Sequence, residues 1–286
     1  MADGSPTVRR RELGARLRRL REENGLSVKY VTEHLLCSPS KISRIETGQR
    51  GATLRDVRDL CDLYGVTDPA GRDRLMTLAR EGRKQGWWQS YDLPYSTYVG
   101  LESEAVIIRD YDSAVVPGLL QTADYARAMF KSPLPEPGLP EMTEEVIDQR
   151  VAARLRRQDL LTAENHKLDF RAILDEAALH RLVGSARVMR EQLAHLVDAA
   201  ALSNVTLQII PYSAGAHPAL DSTFNILTFL GEVPEIVYVE GLVGRMYLER
   251  PEDVDRYKRV FGRLAEMALP PGESAELCRS CALSPG

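Results

Sequence analysis

Residues that favour helix starts and helix ends divide the first part of this 286-residue chain into short segments. Side-chain oxygens accept hydrogen bonds from the first turn of a helix, and a glycine commonly follows the last turn because it tolerates a left-handed backbone. The predicted starting residues are Ser27, Ser38, Thr53 and Asp68, and the predicted ending glycines are Gly25, Gly48 and Gly65. This spacing predicts a compact all-α domain of five short helices over residues 1–84.

The third predicted helix is short and strongly two-sided. Pro39 stands at a first-turn position that proline favours, and Ile42 and Ile45 point to one side. Small polar and cationic side chains, such as Ser40 and Arg44, occupy the other faces. We therefore expect one apolar edge to lie in the core and the polar surface to face outward.

Basic residues are concentrated in the same stretch. Residues 1–84 carry 18 Lys and Arg against 12 Asp and Glu, a net charge of +6, whereas residues 85–286 carry 19 against 29, a net charge of −10. Clustered cations suit a polyanion, since neutralised phosphates release their counterions. Arginine-rich helix faces are also common where the side chains are merely solvated. Charge alone leaves both interpretations open.

Two short helices with a tight break between them describe a helix-turn-helix, whose second helix enters the major groove of DNA. The run from Ser38 to Arg50 resembles the recognition helix and following loop of Cro/C1-type regulators, also called the xenobiotic-response-element family. The resemblance implies a five-helix fold that binds DNA. It places four residues at base-contacting positions, namely Val28, Pro39, Ser40 and Arg44. Arg44 is the leading candidate, because an arginine in the major groove can form a bidentate pair with guanine.

The same resemblance implies phosphate contacts and a structural ion pair. Hydroxyls, cations and helix N-termini bind phosphates and fix the register of a protein on the duplex, without selecting its sequence. The phosphate-contacting positions are Ser27, Ser38, Lys41, Thr47, Gln49 and Arg50. Arg21 and Glu46 match a family ion pair that holds the first helix against the recognition helix. Loss of one partner would leave a costly buried charge.

Two positions depart from the family pattern. Leu36 stands in the turn where the family usually has glycine, and Thr32 stands where it usually has alanine. If the turn needs a left-handed backbone, a leucine there costs about 1 kcal/mol or more. The alternative for the whole region is a five-helix protein-interaction module.

The rest of the chain predicts a second domain over residues 85–269. Helical patterns include one around Glu102–Asp110, and runs rich in β-branched and aromatic residues predict strands. The last three strand-like runs, Thr223–Phe229, Glu235–Glu240 and Gly244–Leu248, are close enough for an antiparallel meander. We expect an α+β domain with a mainly antiparallel sheet. Residues 270–286 hold little to bury and predict a flexible tail.

Several phrases of this second part resemble the actinobacterial domain of unknown function DUF5753. They are Val116-Pro-Gly-Leu-Leu-Gln-Thr122, Tyr125-Ala126-Arg127, the row Arg150, Arg154 and Arg157, and Tyr238-Val239-Glu240. The resemblance implies an antitoxin-like transcriptional regulator, usually paired with a small protein encoded nearby and tied to development or antibiotic production. By itself, the arginine row lies on one helical face and could bind an anion or form salt bridges with the acidic side chains of this domain.

Motifs for catalysis are missing from the sequence. The five histidines lack the spacing of a zinc protease, and the phosphate-binding glycine loops and the nucleophile elbow are absent. His217 could pair with Glu240, although a lone loop histidine is more often structural. Cys278 and Cys281 have the spacing of half a zinc site or a redox pair, but idle thiols in a mobile tail are the simpler interpretation. We expect no enzyme activity, no metal and no cofactor.

The sequence therefore predicts a cytoplasmic, sequence-specific DNA-binding regulator. No stretch is apolar enough for a membrane helix, and the first residues lack the layout of a signal peptide. The expected partners are double-stranded DNA and a second copy of the chain, because one small domain makes few phosphate contacts. Whether a small molecule acts as effector stays open. The alternative is an interaction protein that binds and neutralises a small toxin-like partner, with DNA binding secondary.

Overall fold

The computed structural model describes residues 5–132, 142–163, 168–241 and 244–283. The first helices are α1 (Pro6–Glu23), α2 (Val28–His34), α3 (Pro39–Glu46), α4 (Leu54–Leu63), α5 (Pro69–Glu81) and α6 (Ser96–Glu102). The later helices are α7 (Ala123–Phe130), α8 (Glu144–Arg157), α9 (Asp159–Thr162), α10 (Ala177–His180), α11 (Ala186–Ala200), α12 (Pro251–Met267) and α13 (Pro271–Leu283). The strands are β1 (Ile107–Asp112), β2 (Asp169–Asp175), β3 (Val205–Ile210), β4 (Phe224–Thr228), β5 (Ile236–Glu240) and β6 (Arg245–Leu248).

The contacts within the chain define two compact units. The N-terminal unit comprises the chain up to Ser90 together with Tyr95–Glu104 and Phe229–Pro234, and the sheet unit comprises the remainder. The N-terminal unit thus extends beyond the boundary expected at residue 85. Trp88 is 4% exposed in it, and Gly100 of α6 lies against the indole ring, where a Cβ would approach Cζ2 to 2.8 Å.

Helices α1 to α5 enclose one apolar core. Ser27, Ser38, Thr53 and Asp68 each accept a hydrogen bond from the first turn of the helix that follows. Because these caps fix where each helix starts, the apolar positions of successive helices face inward together. The buried residues of this core include Leu13, Leu17, Val31, Ile42, Ile45, Val57, Leu60, Leu75 and Leu78.

The sheet unit is built on a six-stranded mixed sheet in the order β3-β2-β1-β4-β5-β6. The predicted meander of β4, β5 and β6 is antiparallel, and β4 also pairs antiparallel with β1. The sheet is mostly antiparallel, as expected, but it also contains two parallel pairs that were not expected, β1 with β2 and β2 with β3. Helices α7 to α9 and α10 to α11 lie between these strands in the chain and supply the long crossovers that parallel pairing requires.

Two expectations about the second domain are wrong. The segment around Glu102–Asp110, expected to be helical, contains the end of α6 and most of β1. The expected flexible tail contains α13, whose Cys278 is fully buried and whose Ser274 Oγ accepts a hydrogen bond of 2.9 Å from Ile209 N of β3. A small buried stripe and one tertiary hydrogen bond therefore order a segment that has few large apolar residues.

One side of the sheet unit is covered by α12. Val254, Phe261 and Leu264 of this helix join Tyr111 and Phe224 of the sheet in one buried cluster. Within the described ranges, every helix is too short or too polar to span a bilayer.

Candidate nucleic-acid interface

Helix α3 is fixed at its start and along its inner edge. Ser38 Oγ accepts a hydrogen bond of 3.2 Å from Lys41 N, and Pro39 occupies the first turn. Ile42 and Ile45 are each 2% exposed and lie in the core. The opposite surface of α3 is consequently turned away from the core, as the apolar spacing predicts.

A close backbone approach sets the position of α3 against α1. A Cβ on Gly14 of α1 would overlap the carbonyl oxygens of Ile45 and Glu46. Only glycine allows this crossing distance without a shift of one helix. Gly14 is not among the residues predicted from the sequence, although an isolated glycine inside a helical pattern is a signal for close packing.

The Arg21–Glu46 pair joins the same two helices with bidentate geometry. Arg21 donates from Nε to Glu46 Oε1 at 2.7 Å and from Nη2 to Oε2 at 2.9 Å, while Nη1 donates to the Leu26 carbonyl at 2.9 Å. The two side chains are 11% and 7% exposed. The hydrogen bond to Glu46 is the main cause that raises the pKa of Arg21. These contacts support the scaffold role that the family resemblance implies.

Three of the four base-contacting candidates lie on the outer surface. Pro39, Ser40 and Arg44 are exposed, whereas Val28 is half-buried and packs against the edge of the core. Within the described part of the chain, the Arg44 guanidinium forms neither a hydrogen bond nor an ion pair. Its charge and its donors are therefore available to an external partner.

Four of the six phosphate-contacting candidates are also accessible. Ser27 and Ser38 are exposed, and each hydroxyl accepts one backbone hydrogen bond at a helix start, which leaves its own hydrogen free to donate. Gln49 and Arg50 are exposed, and among the described residues their side chains have no polar partner. Both serine caps stand at helix N-termini, where a negative group is favoured.

Lys41 and Thr47 are engaged inside the protein instead. Lys41 Nζ lies 2.5 Å from Asp56 Oδ1, and Thr47 Oγ1 donates to the Ser43 carbonyl at 2.9 Å. Although burial acts to raise it, the hydrogen bonds from Lys41 and Thr53 hold the pKa of Asp56 below its ordinary value. Since Asp56 also belongs to the capping box of α4, Lys41 ties α3 to α4, and Asp56 compensates its charge in the free protein.

The turn between α2 and α3 has the left-handed residue that the glycine pattern implied. Leu36 has φ of 47° and, among the described residues, is the single non-glycine with a positive φ. Its side chain is 92% exposed, and Cys37 N donates to the Thr32 carbonyl at 3.1 Å across the turn. The Thr32 hydroxyl donates to the Lys29 carbonyl at 2.8 Å, so this departure from the family pattern leaves no buried donor unsatisfied.

The arginine row of α8, in the sheet unit, points into the protein. Arg154 Nη1 donates to Gln121 Oε1 at 2.6 Å, and its guanidinium carbon lies 5.1 Å from the centre of the Phe130 ring. Arg157 is 5% exposed, and a Cβ on Gly118 would lie 3.2 Å from its Nη2. These guanidinium groups are integrated into the fold of the sheet unit and differ in this from Arg44.

The residues considered for catalysis or metal binding pair with other side chains of the fold or are buried in it. His217 Nε2 lies 3.3 Å from Asp175 Oδ2, while Glu240 pairs with Arg245. Burial raises the pKa of the Cys278 thiol to about 12, so it stays protonated at neutral pH. No group of three or more His, Cys, Asp or Glu side chains suited to a metal ion occurs in the described ranges.

A helix-turn-helix with an outward recognition helix defines a DNA-binding regulator, and comparison with known proteins agrees. A family model described as a helix-turn-helix domain matches residues 12–75. A second, described as a domain of unknown function (DUF5753), matches residues 95–280. The chain belongs to the DUF5753 family. Together, the two matches confirm both resemblances found in the sequence. Neither the curated proteins nor the solved structures gave a significant match.

Proposed function

We propose that the protein is a sequence-specific transcriptional regulator in which α3 lies in the major groove and Arg44 pairs with a guanine. The observation that carries this proposal is the state of Arg44, which is exposed and has no polar partner among the described residues. A free guanidinium on the outer surface of a short recognition helix, here in its last turn, can donate two hydrogen bonds to O6 and N7 of guanine. Ser40 stands one turn earlier and adds a less selective hydroxyl contact.

Phosphate contacts orient α3 on the duplex in this proposal. Four exposed residues can make these contacts. Ser27 and Ser38 precede α2 and α3 in the chain, and Gln49 and Arg50 follow α3. Such contacts add affinity without selectivity, and they weaken with salt. Lys41 takes no part in them, because Asp56 already compensates its charge.

We further propose that the protein binds DNA as a homodimer. A single helix-turn-helix reads only a few base pairs, and two copies related by a two-fold axis would read half-sites one helical turn, about 34–36 Å, or a multiple of it apart. Sedimentation of the free protein tests the dimer, and the spacing of the half-sites in the selected DNA tests its geometry.

Selection of DNA from a random duplex pool, followed by a gel shift on the recovered sequence, tests the regulator proposal. We expect recovered sequences with a paired motif that contains guanine, and a preference for this motif that Arg44→Ala lowers by about tenfold to 100-fold. A wild-type protein that recovers no shared motif would refute the proposal.

Membership of the DUF5753 family supports the antitoxin-like type for this regulator. In that case, a small protein encoded next to this chain binds it and changes its DNA binding. Adding the purified neighbour to the gel shift tests this: a supershift or a release of the DNA is expected, and an unchanged pattern contradicts it.

A further inference from the structure

The sheet unit contains a cavity beside α12 that the DNA-binding proposal does not use. Its volume is about 410 Å³, within the range of about 300–1,000 Å³ found for small-molecule sites. Two walls are regular structure, namely one face of α12 and the ends of β4 and β6, and the segment of residues 218–222 supplies another wall. These elements all belong to the sheet unit.

The apolar part of the cavity is formed by rings and branched side chains. Phe224 of β4 and Tyr257 of α12 meet at a ring-centre distance of 4.9 Å with an interplanar angle of 67°. Leu248 of β6 and Val260 of α12 complete this part of the lining. An apolar or aromatic body would replace water against these surfaces, which favours binding.

Three polar groups of the lining have no polar partner in the described part of the chain. They are the Ser222 hydroxyl, the Tyr257 hydroxyl and the Arg256 guanidinium. Arg256 is exposed and lies one residue before Tyr257, on the α12 face that lines the cavity. Donors of this kind, few in number and set around an apolar space, are typical of sites that orient a ligand.

The lining carries one acidic and one basic side chain, Asp253 and Arg256. Asp253 also lines the cavity, but its Oδ2 accepts a hydrogen bond of 2.8 Å from Arg250 Nε, which offsets its charge. Glu252, one helical turn before Arg256, pairs with the same Arg250 at 3.5 Å. Arg250 thus engages both carboxylates, whereas Arg256 has no polar partner among the described residues and can donate to an anionic group.

We propose that this cavity binds a small monocarboxylate with an aromatic or branched apolar body. The carboxylate pairs with Arg256 and accepts hydrogen bonds from the Ser222 and Tyr257 hydroxyls, while the apolar body contacts Phe224 and Val260. A charge-assisted contact of this kind discriminates an acid from its neutral amide by about tenfold or more.

Calorimetric titration of the full chain with 3-phenylpropionate and with its neutral analogue 3-phenylpropionamide tests the proposal. We expect saturable binding of the acid at millimolar concentration and binding of the amide about tenfold weaker. Arg256→Gln should lower the affinity for the acid to the affinity for the amide. Arg259→Gln, which changes an exposed arginine of the same helix that does not line the cavity, leaves both unchanged.

A bulky residue within the cavity provides a second line of evidence. Val260→Trp fills the apolar part and abolishes binding of both compounds, and Ser222→Trp on the opposite wall does the same if the first variant fails to fold. No saturable binding of the acid overturns the proposal. Equal affinities for acid and amide, or equal losses with Arg256→Gln and Arg259→Gln, overturn it as well.

Discussion

Arginines of the two units are chemically identical but differ in what surrounds them. Arg44 and Arg50, on α3 and just after it, are exposed and have no side-chain partner among the described residues. Arg154 and Arg157 on α8 are turned inward, and Arg154 bonds Gln121 and lies over Phe130. Both sets stand out in the sequence as cations on a helical face. Charge patterning in the sequence therefore does not show whether a guanidinium is free or bonded within the fold, and only a free one is available to an external partner.

The position of Arg44 on α3 depends on the Arg21–Glu46 ion pair that joins α1 and α3. Glu46→Ala would break this ion pair. The substitution leaves Arg21 without its bidentate partner in a site where both side chains are nearly buried, and we expect a loss of about 3–5 kcal/mol. Amide hydrogen exchange in α1 and α3 measures it. Glu33→Ala is the matched control, because Glu33 pairs only with Lys29 among the described residues, its side chain is 63% exposed, and its loss should cost no more than about 0.5 kcal/mol. Equal effects of the two substitutions would contradict the scaffold role.

Asp112, which interacts with the inward-facing Arg154, makes the stability of the sheet unit depend on pH. Desolvation raises the pKa of Asp112 to about 7, against the opposing effect of Arg154, while the nearby Glu240 raises it further. The folded state therefore holds a proton that the unfolded state, with a pKa of about 3.9, releases. Stability from this group is full below about pH 4 and falls as pH rises to about 7, by at most about 1.4 kcal/mol per pH unit.

Urea unfolding of the sheet unit at several pH values checks this slope. Asp112→Asn should remove it, and Arg154→Ala should extend it to higher pH, because the favourable charge is gone. A stability that is flat over this range in the wild type would show that Asp112 is ionised in the fold.

Leu36→Gly tests the turn that carries α3. Because Leu36 has φ of 47° and its side chain is 92% exposed, glycine relieves backbone strain and gives up little packing. We expect a gain of about 1 kcal/mol in the stability of the N-terminal unit. Thermal unfolding measures it against Leu35→Gly, a neighbouring helix-end position without positive φ, which should destabilise. A loss of stability with Leu36→Gly would mean that the leucine makes contacts beyond the turn.

Arg50→Ala should have the smallest effect on DNA affinity. The substitution distinguishes the role of Arg50 from that of Lys41. Removing a free cation should lower the slope of log affinity against log salt by about one, with little change in sequence preference. Lys41→Met should leave the slope unchanged, because Asp56 already neutralises the lysine. Binding titrations over a range of salt concentrations provide the slopes, and a change with Lys41→Met would return that residue to the phosphate-contacting set.

Local signals in the sequence predicted the features that depend on local chemistry. The capping residues and the inward isoleucines of α3 follow from hydrogen-bonding groups and apolar spacing, and family resemblance supplied Arg21 and Glu46. The features that were missed depend on distant partners. The pairing of Lys41 with Asp56 and the approach of Gly14 to Ile45 are tertiary contacts with no periodic signature.

The sheet unit shows the same limit at the level of whole elements. Strand β1 lies in the middle of the sheet, and its Ile107-Ile108 pair belongs to an apolar run that spacing alone cannot distinguish from a helix. Helix α13 has few large apolar residues, and its order depends on β3 and α11, which precede it by many residues. Sequence periodicity cannot supply such partners.

Fluorescence anisotropy with the selected duplex and a scrambled duplex, using wild type, Arg44→Ala and Arg74→Ala, measures whether α3 reads DNA through Arg44. Arg74 of α5 is the matched control, since it too is exposed and unpaired within the described residues of the same unit. We predict that Arg44→Ala lowers the preference for the selected duplex by about tenfold to 100-fold and that Arg74→Ala preserves it. An unchanged preference in Arg44→Ala, or an equal loss in both variants, would contradict the assignment of α3 as the DNA-reading helix.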